Sequence, residues 1–263
     1  MLSLPLRAAI LSVLLLAILL GVWELATQIP TGGATAGARV PGPSKIFVHA
    51  FNELSDPFYD RGANDKGIGI QLAYSIARVL TGYILAALVA IPVGFVMGMS
   101  PMWQRALDPY IQVLKPISPL AWMPLALYVI KDSATSSIFV IFICSVWPML
   151  INTAFGVASV RRDYINVART HELSKFETAT QVILPAAAPT ILTGMRISIG
   201  ISWLVIVAAE MLVGGTGIGY YVWNEWNNLN LNSVIFSILM IGLVGMVLDQ
   251  MLARAAKLVH YVD

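Results

Sequence analysis

Six ionisable side chains interrupt otherwise apolar runs of this sequence: Glu24, Arg78, Lys115, Arg196, Glu210 and Asp249. Near the middle of a bilayer such a charge costs at least about 2.5 kcal/mol, so it faces protein or water rather than lipid. Arg78, Lys115 and Arg196 are cations, and in a low dielectric they attract small anions. Each also has a plainer reading. Arg196 lies close enough to the start of its run to snorkel to the membrane surface, and Arg78 and Lys115 sit within a turn or two of a run end. Lys115 and Arg196 lead the candidates for a translocation pathway, followed by Arg78.

Lys115 opens the stretch Lys-Pro-Ile-Ser-Pro-Leu-Ala-Trp-Met-Pro. Pro116, Pro119 and Pro124 remove backbone donors and bend or break a helix. Irregular backbone at membrane depth is tolerated where it is packed in protein or lines a cavity, so a gate or constriction is expected here, with a purely structural kink as the alternative. In the run that holds Arg196, helical spacing brings Arg196, Gly200, Trp203, Val207 and Glu210 close to one face, read as a pathway wall. Arg196 and Glu210 are about 21 Å apart along such a helix and cannot pair within it; Glu210 either marks a negative collar or pairs with a basic neighbour. Gly194, Ser198 and Ser202 form a small-residue face suited to close helix packing.

The elements that must position these groups follow from composition. Of 263 residues, 58% are apolar and 11% charged, and the apolar ones come in blocks of the length a bilayer core requires. The expected class is an all-α integral membrane protein of about six spans: Ala8–Ile29, Leu72–Met99, Tyr110–Ile130, Ser136–Ala158, Ile191–Val213 and Ser233–Leu258. The implied divisions are an N-terminal transmembrane helix over 1–29, an outer segment over 30–70 and a five-helix core over 71–263. Within the outer segment, Ile46, Phe47, Ala50, Phe51 and Leu54 recur at helical spacing and predict an interfacial helix over Lys45–Leu54. Arg7 with the small-residue stretch Ala34–Ala38 also fits a cleaved signal peptide, but the apolar run is long for one and a retained helix is preferred. Arg7, Arg105, Arg161, Arg162, Arg169, Lys175, Arg254 and Lys257 fall on one side of the layout. By the positive-inside rule that side is cytoplasmic and holds both termini.

Catalytic chemistry is not apparent. His49, His171 and His260 are scattered, and Cys144 is a single thiol inside an apolar run. The Gly214–Gly219 run lacks the Lys and the strand of a phosphate-binding loop, and is read as a turn. Tyr220, Tyr221, Trp223 and Trp226 read as an interfacial aromatic belt.

Between the fourth and fifth apolar runs lies the polar stretch Asn166–Pro185, NVARTHELSKFETATQVILP. The positions Asn166, Val167, Ala168, then Glu172, then Val182, Leu184 and Pro185 resemble the cytoplasmic signature of importer-type ABC permeases. Glu172 stands where that signature has Gly, and the leading Glu-Ala-Ala triplet keeps only Ala168. With Val40-Pro-Gly-Pro, Asp56-Pro-Phe-Tyr-Asp, Arg105-Ala-Leu-Asp-Pro, Pro119-Leu-Ala-Trp, Ile151-Asn-Thr-Ala and Ser202-Trp-Leu-Val-Ile-Val-Ala-Ala-Glu-Met, the chain resembles permeases of nitrate, nitrite, bicarbonate and cyanate importers from Val40 to Lys257.

The resemblance implies a type I importer fold and a permease homodimer, or a pair with a close homologue. It also implies two ATP-binding subunits holding ATP-Mg, and an extracytoplasmic solute-binding protein. This chain itself would hold no cofactor and bind no nucleic acid. A cytoplasmic loop over 159–190 would couple to the ATPase through Asn166, Val167, Ala168, Arg169, His171, Glu172, Leu173, Phe176, Leu184 and Pro185, with Ala168, Leu173 and Phe176 as docking contacts. Nitrate is the first-choice cargo, with bicarbonate, cyanate and sulfonate or taurine as alternatives. An ATP-independent secondary carrier is the competing class; it would show symmetry between halves, and no repeat is evident.

Overall fold

The computed structural model of the protein describes residues 4–28, 40–62 and 64–259. Eleven helices fill them: α1 (Leu4–Gln28), α2 (Pro43–Ser55), α3 (Ile68–Met99), α4 (Pro101–Leu114), α5 (Met123–Ile130), α6 (Ser133–Ala158), α7 (Arg162–Thr170), α8 (Lys175–Glu177), α9 (Leu184–Val213), α10 (Ile218–Asn227) and α11 (Leu231–Val259). The stretch Ala34–Ala38, Ile29 and His260 lie outside the described residues.

Five helices are long and apolar enough to cross a membrane, or six if the bent pair α4–α5 counts as one span. The chain is therefore a multi-pass membrane protein, as its apolar blocks predict. α1 is exposed all round, and its leucines present the surface that lipid, rather than water, would cover. It meets the rest of the chain at one polar point. Glu24 accepts from the backbone N–H (3.1 Å) and hydroxyl (2.9 Å) of Ser44, so this intramembrane acid caps the first turn of α2. α2 occupies the region where helical spacing predicts a helix over Lys45–Leu54. It buries Ile46 and leaves Phe47 and Phe51 exposed.

The core is built on α3, α6 and α9. Gly82, Gly94 and Gly98 let α3 lie directly on α6: a Cβ at those positions would come within 2.8, 2.7 and 2.6 Å of the carbonyl oxygens of Ile138, Leu150 and Ala154. Missing side chains here allow backbone-to-backbone packing where lipid offers no hydrophobic drive. The Gly194, Ser198, Ser202 face of α9 packs on α6, where Ser198 donates to the Ser145 carbonyl at 2.8 Å and the Ser145 and Ser202 hydroxyls lie 2.6 Å apart. α6 is started by Asp132, whose carboxylate accepts from the Thr135 backbone N–H at 2.7 Å, an N-cap.

The expected third span, Tyr110–Ile130, is not one helix. α4 ends at Leu114, a 3₁₀ turn covers Pro119–Trp122, and the two arms meet at 84°. Pro116 and Pro119 supply no N–H to continue the ladder, and Ser118 takes the extended backbone (ψ 128) that a following proline enforces.

A second difference concerns the polar loop. Leu184 and Pro185 do not end it; they lie inside a continuous helix running from Lys175 to Val213. Ser174 starts that helix by a reciprocal capping box with Glu177. The turn over Thr178–Ile183 is π-helical, and a widened turn just ahead of Pro185 accommodates the missing donor. The expected loop 159–190 thus shrinks to α7 and its flanking turns.

Candidate functional site

Three constellations place the residues singled out from the sequence. The first lies where α3, α9 and the start of α10 meet. Glu210 is 1% exposed, yet its carboxylate is saturated. The Ser75 hydroxyl donates to it (2.9 and 2.8 Å), as do Arg78 Nη1 (2.7 Å) and the Gly219 backbone N–H (3.0 Å). Arg78 Nη1 also donates to the Thr216 carbonyl at 2.6 Å, Gln71 Oε1 accepts from the Gly217 N–H at 2.6 Å, and Ser75 Oγ accepts from the Ile218 N–H at 2.9 Å. The orphan donors of the α10 N-terminus are thereby met by two α3 side chains and one carboxylate, where a negative charge is also favoured by the helix dipole. Gly217 (φ 158) and Gly219 are tied to this spot, because a Cβ on either would run into Glu210 or the Val207 carbonyl. The Gly-rich turn is pinned from three sides.

This arrangement corrects the single pathway wall expected on α9. Glu210 is buried in the network, and Trp203, 5% exposed, packs toward α11 with its indole N–H donating to the Ile241 carbonyl at 2.9 Å. Of the five residues, Arg196 and Gly200 are the ones that face outward. Arg78 is committed to Glu210 and a carbonyl. Gln71, Ser75 and Arg78 were the missed signal: spaced four and three apart, they form a polar stripe on one face of an apolar helix, which requires a polar partner.

The second constellation is the seam between α9 and α11. Arg196 Nε donates to Asp249 Oδ1 and Nη2 to Oδ2, each at 2.6 Å, with the side chains 49% and 44% exposed. Lys115 is elsewhere, at the exposed end of α4, where its backbone N–H donates to the Ile111 carbonyl. Pro116 is exposed and Pro119 half-buried in the break that follows. Among the described residues Lys115 shares no carboxylate partner with Arg78 or Arg196, which are paired with Glu210 and Asp249.

The third is the corner made by α7 and the start of the Lys175–Val213 helix. Leu173 N–H donates to the Ala168 carbonyl (3.1 Å) and Glu172 N–H to the Arg169 carbonyl (3.0 Å), the paired bonds that close a helix with a left-handed residue after the cap. That residue is Glu172, at φ 53. The signature's Gly position therefore keeps the backbone that favours glycine, although its residue has changed. Ala168 is 1% exposed, packed within its own chain, and so is unavailable as a docking contact; a small side chain is what the tight return of the chain requires. Leu173 is half-buried, while Asn166, Arg169, His171 and Glu172 are exposed. The apolar groups that stand out are Val167 (56% exposed) and Phe176 (76%), joined by the Tyr164 ring beneath the Arg161 guanidinium. Leu184 is exposed on the helix flank, and Pro185 lies beside it.

At the opposite end of the bundle, the loop before α3 is tied down by the Asp60–Lys66 ion pair and by Tyr220 donating to Asn64. Glu53 is half-buried near His49 and Glu225, and its carboxyl is pushed above the usual range, chiefly by burial. Burial likewise raises the Tyr59 phenol to about 12.

Residues 90–260 match the family described as the binding-protein-dependent transport system inner membrane component. The chain belongs to this family. The permease is 43% identical over 244 residues to the nitrate import permease protein NrtB of Synechocystis sp., covering 93% of this chain and 86% of that protein. It is 42% identical to the bicarbonate transport system permease protein CmpB of Synechococcus elongatus, covering 88% of this chain and 82% of that protein. The permease also shares its fold with the inward-facing MetNI methionine ABC transporter, at a TM-score of 0.63, 11% identity, and coverage of 72% of this chain and 94% of that one.

Proposed function

We propose that this permease is the membrane-spanning subunit of an ATP-driven importer of a small oxyanion, nitrate first and bicarbonate second. The observation that carries the reading is the 43% identity to a nitrate import permease across 93% of the chain; the 42% identity to a bicarbonate permease supports the second reading. Two copies of the chain, or this chain with a close homologue, would form the conduit in the inner membrane of a bacterium, with both termini cytoplasmic. Two separate ATP-binding subunits would hold ATP-Mg and perform hydrolysis, and an extracytoplasmic binding protein would deliver the anion.

In this reading the α7 corner couples the engine to the conduit. Its support is mechanical. α7 is closed by a tight turn onto the first turn of a helix that continues to Val213, so a push on Phe176 is carried along one helix, through its π-helical turn, to the level of Glu210. Val167 and Phe176 supply the apolar grip, with Arg169, His171 and Lys175 at its rim. Anchors of this kind carry most of an interface's energy. The experiment is nitrate uptake by proteoliposomes holding the permease, its ATPase subunits and the binding protein. Uptake that requires ATP supports the reading, and bicarbonate-only uptake selects the second.

A further inference from the structure

The seam between α9 and α11 holds a half-open ion pair, with side-chain exposures of 49% and 44%. Arg196 is 17 residues from the α9 end at Val213, about 26 Å along the axis, and Asp249 is 18 residues from the α11 start at Leu231, about 27 Å. Both therefore sit near the far edge of an apolar layer about 30 Å thick. Their two parallel 2.6 Å bonds use the guanidinium fork in full, and among the described residues neither side chain makes another hydrogen bond. At this edge of the layer a half-open pair is within reach of interfacial water.

Beyond it, toward α10, Trp203 fills the seam, and two glycines leave the adjoining helix surfaces open. A Cβ added to Gly200 or Gly242 would meet nothing within 4 Å, and one added to Gly245 would touch the Trp203 indole, with Cδ1 at 3.0 Å and Nε1 at 3.2 Å. Gly200, one turn from Arg196 on α9, and Gly242 on α11 thus leave open space beside the helices, with the Trp203 indole against Gly245.

We propose that the Arg196 fork is a transient binding site for a trigonal oxyanion, with Asp249 as a tethered stand-in that the travelling anion displaces. The inference rests on the small-anion reading above. Nitrate and bicarbonate, like the Asp249 carboxylate, offer two coplanar oxygens to a guanidinium, which binds such groups in bidentate fashion; a halide offers one point. A conduit must bind its cargo strongly enough to admit it and weakly enough to release it. The Asp249 carboxylate competes at high local concentration, returns to the fork when the anion leaves, and keeps the resting seam neutral.

The test is nitrate binding to the purified permease–ATPase complex in nanodiscs, without binding protein, for the wild type, D249N and R196Q/D249N. D249N is expected to lower the nitrate Kd by on the order of tenfold, as removal of a tethered competitor should, and to slow uptake. The neutral pair R196Q/D249N is expected to lose nitrate binding and to reduce uptake at least about tenfold, with the complex still assembled. Equal nitrate affinity in all three, or full uptake by the double variant, overturns the site while leaving the importer reading in place. A double variant that fails to assemble makes the pair a structural tie and also overturns it. Repeating the titration with bicarbonate and chloride separates the two claims. A D249N gain for bicarbonate alone keeps the site and removes nitrate as cargo, and a gain for chloride equal to that for nitrate rejects the fork.

Discussion

Two arginine–carboxylate pairs cross between helices of this permease, and they differ in everything except their chemistry. Arg78–Glu210 is buried, with side-chain exposures of 13% and 1%, and its carboxylate takes further bonds from Ser75 and Gly219. Arg196–Asp249 is half-open and, among the described residues, has no partner beyond itself. The first kind of pair cannot lose one member without stranding a charge in a low dielectric; the second can exchange a member for solvent or for another anion. A fold that places both along the same helix, α9, separates holding from handling. The end near α10 is locked, and the end near α7 is left able to switch.

Breaking the locked pair gives the largest expected effect. Glu210→Ala leaves the Arg78 guanidinium uncompensated and should cost about 3–5 kcal/mol, read as loss of folded complex in thermal unfolding. Asp249→Ala should leave thermal stability nearly unchanged while altering transport. Equal losses from the two substitutions would erase the distinction between the pairs. Gly219→Ala pushes a methyl into the Val207 carbonyl and Glu210 and should cost about 1–3 kcal/mol, measured the same way; a neutral result would mean that the α10 turn is not pinned by the network.

The α7 corner offers a gain instead of a loss. Glu172 holds a left-handed backbone at φ 53, which costs an ordinary residue about 1–2 kcal/mol. Part of that relief is offset by the extra freedom of glycine in the unfolded chain. Glu172→Gly should therefore stabilise by up to about 1 kcal/mol, and a destabilised variant would show that the Glu172 side chain has a positive role there. The smallest effect is at Glu53. Burial holds its carboxyl above the value of 4.5 that it has when free, so the folded state keeps a proton that the unfolded state has released. Stability from this group is present below about pH 4.5 and is lost as pH rises through the raised folded value. Glu53→Gln should accordingly stabilise at neutral pH, with the gain vanishing in acid; a pH-independent gain would assign the effect to packing.

The spans were legible because lipid imposes one rule on long stretches of chain. α1, α3, α6, α9 and α11 all fall on apolar runs, with their ends moved by a few residues at most except for α9, which extends back through Pro185 because a π-helical turn absorbs the missing donor. The third run was harder. Periodicity gives apolar length but not the angle at Pro116 and Pro119, and the chain turns there by 84°. The partners of the charges were least legible, since Arg78 and Glu210 lie 132 residues apart and no local spacing links them. The Gln71, Ser75, Arg78 stripe announced that a partner was needed without saying which. Ala168 shows the same limit. Its small size fits a docking surface and a tight turn alike, and only the packed corner decides for the turn.

If this chain is a conduit moved by a separate engine, it cannot concentrate its cargo unaided. ATP-driven accumulation of labelled nitrate in proteoliposomes tests this most directly, comparing the permease alone, the complete assembly, and the assembly carrying Phe176→Glu. Uphill uptake is expected from the complete assembly only, with Phe176→Glu folded and assembled in the membrane but uncoupled. Uphill accumulation by the permease alone would contradict this.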